Sequence, residues 1–253
     1  MDRMLYVAMS GAKQIMLAQA VNNNNLANVS TSGFRADLDA FRSMPVFGPG
    51  YPSRVYTVTE NPGTDMSIGS LTTTGRELDV AVNGQGWITV QAPDGSEAYT
   101  RAGDLRVSIN GQLETGAGHP VLGNGGPIAI PPFEKIEIGA DGTISVLPIG
   151  QAPNALAVVD RIKLVNPLPR DMEKRVDGLM RVKGSINQIN GQGGVSPDAS
   201  VQLASGVLES SNVNAVEAMV KMIELSRHYE TQIKMMRIAQ DNDVAATQMM
   251  RMS

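Results

Sequence analysis

The chain has 253 residues with 26 Gly, 14 Pro and 15 Met, but only four Phe, five Tyr and one Trp. This is length for one to two domains, yet too few aromatic anchors for a single thick core. The absence of Cys and the presence of only two His, His119 and His228, exclude disulfide scaffolds, thiol nucleophiles, cysteine zinc sites and multi-histidine metal centres. The net charge of −4 is concentrated in residues 36–160, with six basic and fourteen acidic side chains, which excludes a basic stripe for nucleic acid or an anionic membrane.

At the N-terminus the apolar run of Met4-Leu5-Tyr6-Val7-Ala8-Met9 is broken by Ser10 and Lys13. A secretory leader needs about 7 to 15 apolar residues, and a membrane span about 18, so the segment reads as mature protein and no insertion is expected. From Met4 to Val29 the positions Leu5, Ala8, Ala12, Ile15, Gln19, Asn22, Leu26 and Val29 step by three and four. That is a heptad seam on a helix roughly 39 Å long, closed by a left-handed residue at Gly33.

Residues 36–75 hold Pro45, Gly48, Pro49, Gly50, Pro52, Pro62 and Gly63 and read as an extended connector with some strand from Arg54 to Thr59. The period then changes to two. Runs of β-prone residues meet Asn83-Gly84, Asp94-Gly95, Asn110-Gly111 and Asp141-Gly142, each a hairpin signal because both turn residues need positive φ. Strand-like runs resume from Val158 to Val182, and Gly191 to Gly194 loosens the chain before Val201. Asn214 and Glu217 then form a capping pair for a helix to Met250, roughly 55 Å long. Its seam is Ala215, Met219, Met222, Ser226, Tyr229, Ile233, Met236, Gln240, Asp243, Thr247 and Met250.

The predicted architecture is α+β: N- and C-terminal helices pairing as an α-helical coiled-coil domain, with a central hairpin-rich antiparallel β domain. Residues 1–35 supply the first helix, 36–75 a linker, 76–205 the β domain and 206–253 the second helix. Helices this long and weakly apolar cannot bury their seams alone and need each other or another chain.

Catalytic patterns are sparse. Gly84-Gln85-Gly86 is a fragment of a dinucleotide fingerprint, but it joins two strands where the fingerprint opens a helix, so a hairpin reading is preferred. His119 and His228 have no sequence partners and read as surface or packing residues. Asp94-Gly95 and Asp141-Gly142 offer one or two oxygens where calcium needs five or more, and Asn28-Val29-Ser30 reads as an accidental glycosylation sequon.

Two segments stand out. Asn25-Leu26-Ala27-Asn28-Val29-Ser30-Thr31-Ser32-Gly33-Phe34-Arg35 places amides, hydroxyls and an aromatic at a helix end, and Leu208-Glu209-Ser210-Ser211-Asn212-Val213-Asn214 precedes the second helix. The first resembles the Asn-Leu-Ala-Asn-x-x-Thr-x-Gly-Phe motif of the flagellar rod and hook proteins, and the second their Glu-x-Ser-Asn-Val motif. Residues Leu78 to Trp87 and Tyr99 to Gly103 are similar to the family's β-domain core. The resemblance spans the whole chain and is nearest to the proximal-rod members, which share Gly86-Trp87.

That resemblance implies a structural, non-enzymatic subunit without cofactor or metal. It implies an assembly motif of Asn25, Leu26, Ala27, Asn28, Thr31, Gly33, Phe34, Glu209, Ser211, Asn212 and Val213, and a helix seam of Leu5, Ala8, Ala12, Ile15, Met219, Met222, Tyr229, Ile233 and Met236. The implied partners are other rod proteins, copies of the chain and the flagellar type III export apparatus. Export without a cleaved signal would end in the periplasmic basal body. Competing readings are a distal-rod or hook subunit, a cell-wall-binding β module on a helical stalk, and a wall hydrolase. No pair of acidic residues is singled out by pattern for the last.

Overall fold

A computed structural model describes residues 4–45, 55–151, 156–184 and 194–251. Met1 to Arg3, the Gly48 to Pro52 cluster, Arg54, Gly191 to Gly193 and Met252 lie outside them. The elements in chain order are α1 (Met4–Ala27), β1 (Asp37–Pro45), β2 (Val55–Thr64), β3 (Leu71–Thr73), β4 (Val80–Asn83), β5 (Trp87–Gln91), β6 (Glu97–Thr100), β7 (Leu105–Val107) and β8 (Leu113–Thr115). They continue with β9 (Phe133–Ile138), β10 (Thr143–Pro148), β11 (Ala157–Arg161), β12 (Leu164–Val165), β13 (Met172–Lys174), β14 (Met180–Val182), β15 (Gln202–Ser205), β16 (Val207–Glu209) and α2 (Ala215–Arg251). Two compact units result, one of residues 1–28, 37–65 and 213–253, the other of residues 29–36 and 66–212.

In the first unit α1 and α2 pack antiparallel. The Asn22 side-chain amide donates to the Ala218 carbonyl at 2.8 Å. Further along, Ile15, Ala18 and Leu225 form a buried cluster with Tyr229 against it. Beyond that, a Cβ on Gly11 would touch the Gln232 side chain at 3.2 Å.

The end signals act in part as expected: Asn214 caps α2, whereas Gly33 lies beyond the end of α1 at Ala27 and pairs with Glu209. The Asn214 Oδ1 accepts from the N–H groups of Val216 and Glu217 at 3.0 and 3.3 Å, and the Asn28 side chain donates to the Asn24 carbonyl at the end of α1. Among the described residues no helix is long and apolar enough to cross a membrane.

The buried stripe departs from the predicted seam at Leu5 and Gln19 on α1 and at alternate positions on α2. Ala8, Ala12, Ile15 and Asn22 are buried on α1, but Ala18 takes the place of Gln19, and Leu5 is exposed. On α2 the stripe runs through Ala218, Met222, Leu225, Tyr229, Gln232, Met236 and Ala239. Met222, Tyr229 and Met236 lie on it, whereas Met219 and Ile233 are 52% and 43% exposed. Both registers step by three and four, and the alanines permit the closer approach of the two backbones, so they are buried and the bulkier Met219 faces out.

Residues 37–64, expected as a connector with some strand from Arg54 to Thr59, hold that strand from Val55 onward within β2 and pair it antiparallel with β1. β1 pairs with β2 from Asp37 opposite Thr64 to Pro45 opposite Val55, with a bulge between Leu38 and Ala40. Most β1 side chains are exposed, so the strand carries no in–out alternation for a period of two to reveal. Gln14 on α1 holds the hairpin by accepting the Thr59 N–H at 3.0 Å, and Lys221 on α2 is ion-paired with Asp39.

The second unit is antiparallel throughout its paired strands. A five-stranded sheet has the order β12-β5-β6-β14-β13, a three-stranded sheet the order β11-β10-β9, and β15-β4, β16-β3 and β7-β8 form pairs. Its main core is aliphatic, with Val80, Val82, Ile88, Leu105, Leu113 and Ile144 fully buried. A smaller cluster joins two of the scarce aromatics, Trp87 and Tyr99, with Val165, Met172 and Met180. Asp94-Gly95, Asn110-Gly111 and Asp141-Gly142 close the hairpins β5–β6, β7–β8 and β9–β10. Asn83-Gly84 does not close one: β4 pairs with β15 and β5 with β6 and β12. The stretch from Asn83 to Gly86 is a link between sheets, with Gly84 and Gly86 both at positive φ.

Candidate functional site

The two motifs flanking the helices meet inside the second unit. Residues 33–36 run beside residues 209–212: the Gly33 N–H donates to the Glu209 carbonyl at 2.8 Å, the Asn212 N–H to the Phe34 carbonyl at 3.3 Å, and the Ala36 N–H to the Asn212 Oδ1 at 2.8 Å. The Asn212 amide also donates to the Ser67 carbonyl at 3.2 Å. Gly33 sits at φ +65°, and a Cβ there would overlap the main chain of Arg101 and Ala102. Only glycine meets both demands, the left-handed backbone and the close approach.

At the centre lies Glu209, fully buried (0% exposed) between Arg35 and Arg101, which are 3% and 4% exposed. Arg101 Nη1 donates to Glu209 Oε2 at 2.9 Å, and the Gly69 N–H to Oε1 at 3.0 Å. Arg35 Nη2 stands 2.6 Å from Oε1 as a close ion pair whose N–H is not aligned for a hydrogen bond. The other amino groups reach main-chain carbonyls: Arg35 Nη1 to Ser67 at 2.6 Å and Arg101 Nη2 to Gly84 at 2.7 Å. Both guanidinium groups also approach the Trp87 ring, with centroid distances of 5.9 and 5.4 Å. The sheet-crossing link at Gly84 and the lone tryptophan thus hold the cations.

Electrostatics follow from that geometry. Burial and then the neighbouring Arg35 lower the Arg101 pKa, while Glu209 works against both. Burial likewise pushes the Tyr99 phenol well above its usual range. Its hydroxyl donates to Glu97 at 3.0 Å. At the edge, Lys174 lies 3.9 Å from the Phe34 ring centroid and donates to the Arg35 carbonyl at 2.9 Å.

The predicted motif residues divide between the units. Gly33, Phe34, Glu209 and Asn212 converge as described; Thr31 turns the chain before them, its carbonyl accepting the Phe34 N–H, and Ser211 is buried beside them. Asn25 belongs to the first unit, where its amide group makes two bonds of 2.9 Å with the Asp37 main chain. Leu26 and Val213 are half-buried there, Ala27 is exposed and Asn28 caps α1. The sequence pattern marks Trp87 as a family feature but does not single out Arg35 or Arg101. The signal available was a lone basic residue within or beside an apolar, β-prone run, together with a single acidic residue in the Glu209 segment. His228 is exposed on α2, and the His119 main chain closes a turn on the Thr115 hydroxyl at 3.2 Å.

Charged groups held by one another, by carbonyls and by an indole ring lock two chain segments together, which is a structural arrangement of the chain. Three family models match the chain: flagella basal body rod protein over residues 5–35, the FlgE/F/G D1 domain of the flagellar hook protein over 81–146, and the C-terminal domain of the flagellar basal body rod FlgEFG proteins over 204–249. The flagellar basal-body rod proteins FlgF of Salmonella typhimurium and Escherichia coli are each 45% identical over the full length of both chains. The rod protein FlgG of Bacillus subtilis is 30% identical, over 92% of this chain and 94% of its own. The chain belongs to the flagellar basal-body rod protein family.

Proposed function

We propose that the chain is a structural subunit of the proximal rod of the flagellar basal body, part of the drive shaft that carries torque from motor to hook. The observation that carries this reading is the identity of 45% without a gap in coverage to two rod proteins named FlgF. Its partners are the other rod proteins and copies of itself. The flagellar type III apparatus exports it to the periplasm without cleavage of a leader. Deleting the gene and imaging basal bodies tests the reading: rods should be truncated and motility lost, and a complete, motile flagellum in the deletion strain would defeat it.

In the assembled rod α1 and α2 act as a coiled-coil layer, and the β unit forms the outer layer. Support comes from the outward faces of the helices. Tyr6, Met9 and Met16 on α1, and Val216, Met219, Val220 and Ile223 on α2, are all about half exposed or more. Apolar faces of this kind gain by burial against neighbours, and unbranched Met side chains repack readily against different surfaces. Motif residues from Asn25 to Phe34 and from Glu209 to Val213 fix the approach of both helices to their connections.

Folding of the termini is coupled to assembly, which keeps subunits from polymerising before export. Limited proteolysis of the purified monomer is expected to trim both ends rapidly and leave a core of roughly residues 29–212. Termini already resistant in the monomer would remove this coupling.

A further inference from the structure

The buried cluster is one negative charge short. Glu209 is the only carboxylate, among the described residues, within ion-pair reach of Arg35 and Arg101. Both guanidinium groups are more than nine-tenths buried, and Arg35 Nε and Arg101 Nε have no hydrogen-bond acceptor, while Arg35 Nη2 faces Glu209. Buried cations are normally paired, and buried N–H groups normally find acceptors, because the loss of hydration is otherwise uncompensated. The depression of the Arg101 pKa has the same origin, burial and a neighbouring cation only partly offset by Glu209.

Beside these groups lies a small cavity of about 20 Å³, walled by Phe34, Arg35, Trp87, Tyr99, Arg101 and Lys174. One water needs about 10–15 Å³ by a comparable measure, so the cavity has room for one or two waters or for a small planar group of about that size. Half-buried Phe34 and Lys174 form its outer side. Cationic walls, unused donors and limited volume select an acceptor that is anionic and small, with two oxygens at most.

We propose that this cavity is a binding site for a carboxylate group, seated against Arg35 and Arg101 at the edge of Trp87. The carboxylate comes either from a free small acid or from an acidic side chain of a second copy. Its charge would balance the second guanidinium and bring the cluster close to neutrality, completing the lock between the two motifs. Phosphate, with four oxygens, is too large.

Trp87 is the single tryptophan of the chain and reports on the site directly. Its fluorescence in the purified full-length protein, titrated with bromide at constant ionic strength, is expected to show saturable quenching that acetate competes away and phosphate does not. Lys174→Gln, at the outer side, should weaken acetate competition about two- to fivefold. Linear quenching unaffected by acetate would mean that the cavity holds water only, and equal competition by phosphate would mean that the ligand class is wrong; either overturns the proposal. Repeating the bromide titration in acetate-free buffer over a range of protein concentrations separates the two sources. Protection that grows with protein concentration places the carboxylate on a second copy, and no protection at any protein concentration, with added acetate still competing, assigns the site to a free acid.

Discussion

Glu209→Ala is expected to remove about 3–5 kcal/mol from the stability of the β-rich unit, because it leaves the buried Arg35 and Arg101 facing each other with no carboxylate between them. Folding free energies of domains are typically about 5–15 kcal/mol, so the variant should sit close to the unfolding threshold. Urea titration followed by Trp87 fluorescence measures this in one experiment, since the ring lies beside both guanidinium groups. The midpoint should fall by about 1–3 M at an unchanged slope. A fall equivalent to less than half a kcal/mol would show that the cluster does not hold the unit together.

Two further substitutions at this position separate the causes. Glu209→Gln keeps the shape and can still accept the Gly69 N–H, so its loss should fall between those of wild type and alanine. The double variant Glu209→Leu with Arg101→Met removes one charge of each sign and should recover part of the loss. The penalty in Glu209→Ala is mostly that of cations buried without an anion, not the net worth of the ion pair. A double variant less stable than Glu209→Ala would reverse that apportionment.

How far the sequence reaches depends on whether a feature is written in local chemistry. α1 and α2 are marked by apolar residues at helical spacing and by the Asn214 cap, and their bounds lie within two residues of expectation. The three hairpins at Asp94, Asn110 and Asp141 are marked by their turn glycines, which take positive φ, whereas the residues before them do not, so one of the two expected positions behaves as the signal implies. Asn83-Gly84 carries the same local signal, and β4 nevertheless pairs with β15, over a hundred residues away. Partner choice between strands is a property of the packed unit and leaves no mark in the dipeptide. The β1–β2 pair was only partly legible, as strand near β2, because the exposed strand β1 needs no hydrophobic pattern. At the site, the family motifs located Glu209, Gly33 and Asn212, but only the three-dimensional arrangement showed that Glu209 answers to two arginines far apart in sequence. The helix seam was legible as a period but ambiguous by one residue, because 222, 229 and 236 belong to both possible stripes.

That ambiguity sets up the second large effect. Ala18 is fully buried against Ile15 and Leu225, one position from the Gln19 that the heptad count selects. Ala18→Glu would force a carboxylate into this contact, where the cluster of Ile15 and Leu225 offers no cation and the approach of the helices leaves no space for four extra heavy atoms. Separation of α1 from α2 is the cheaper outcome, and a lone helix of this length is only marginally stable in water. The same substitution at Asn23, polar and exposed on the same helix, changes charge equally but buries nothing. Complementation of a deletion strain should therefore give normal motility with Asn23→Glu and none with Ala18→Glu, while the Trp87-monitored melting of the β-rich unit is the same for both. Motility restored by Ala18→Glu would mean that the antiparallel contact of the two helices is not required in the working assembly. Loss of motility with Asn23→Glu as well would move the sensitive surface from the inner seam of α1 to its outer face.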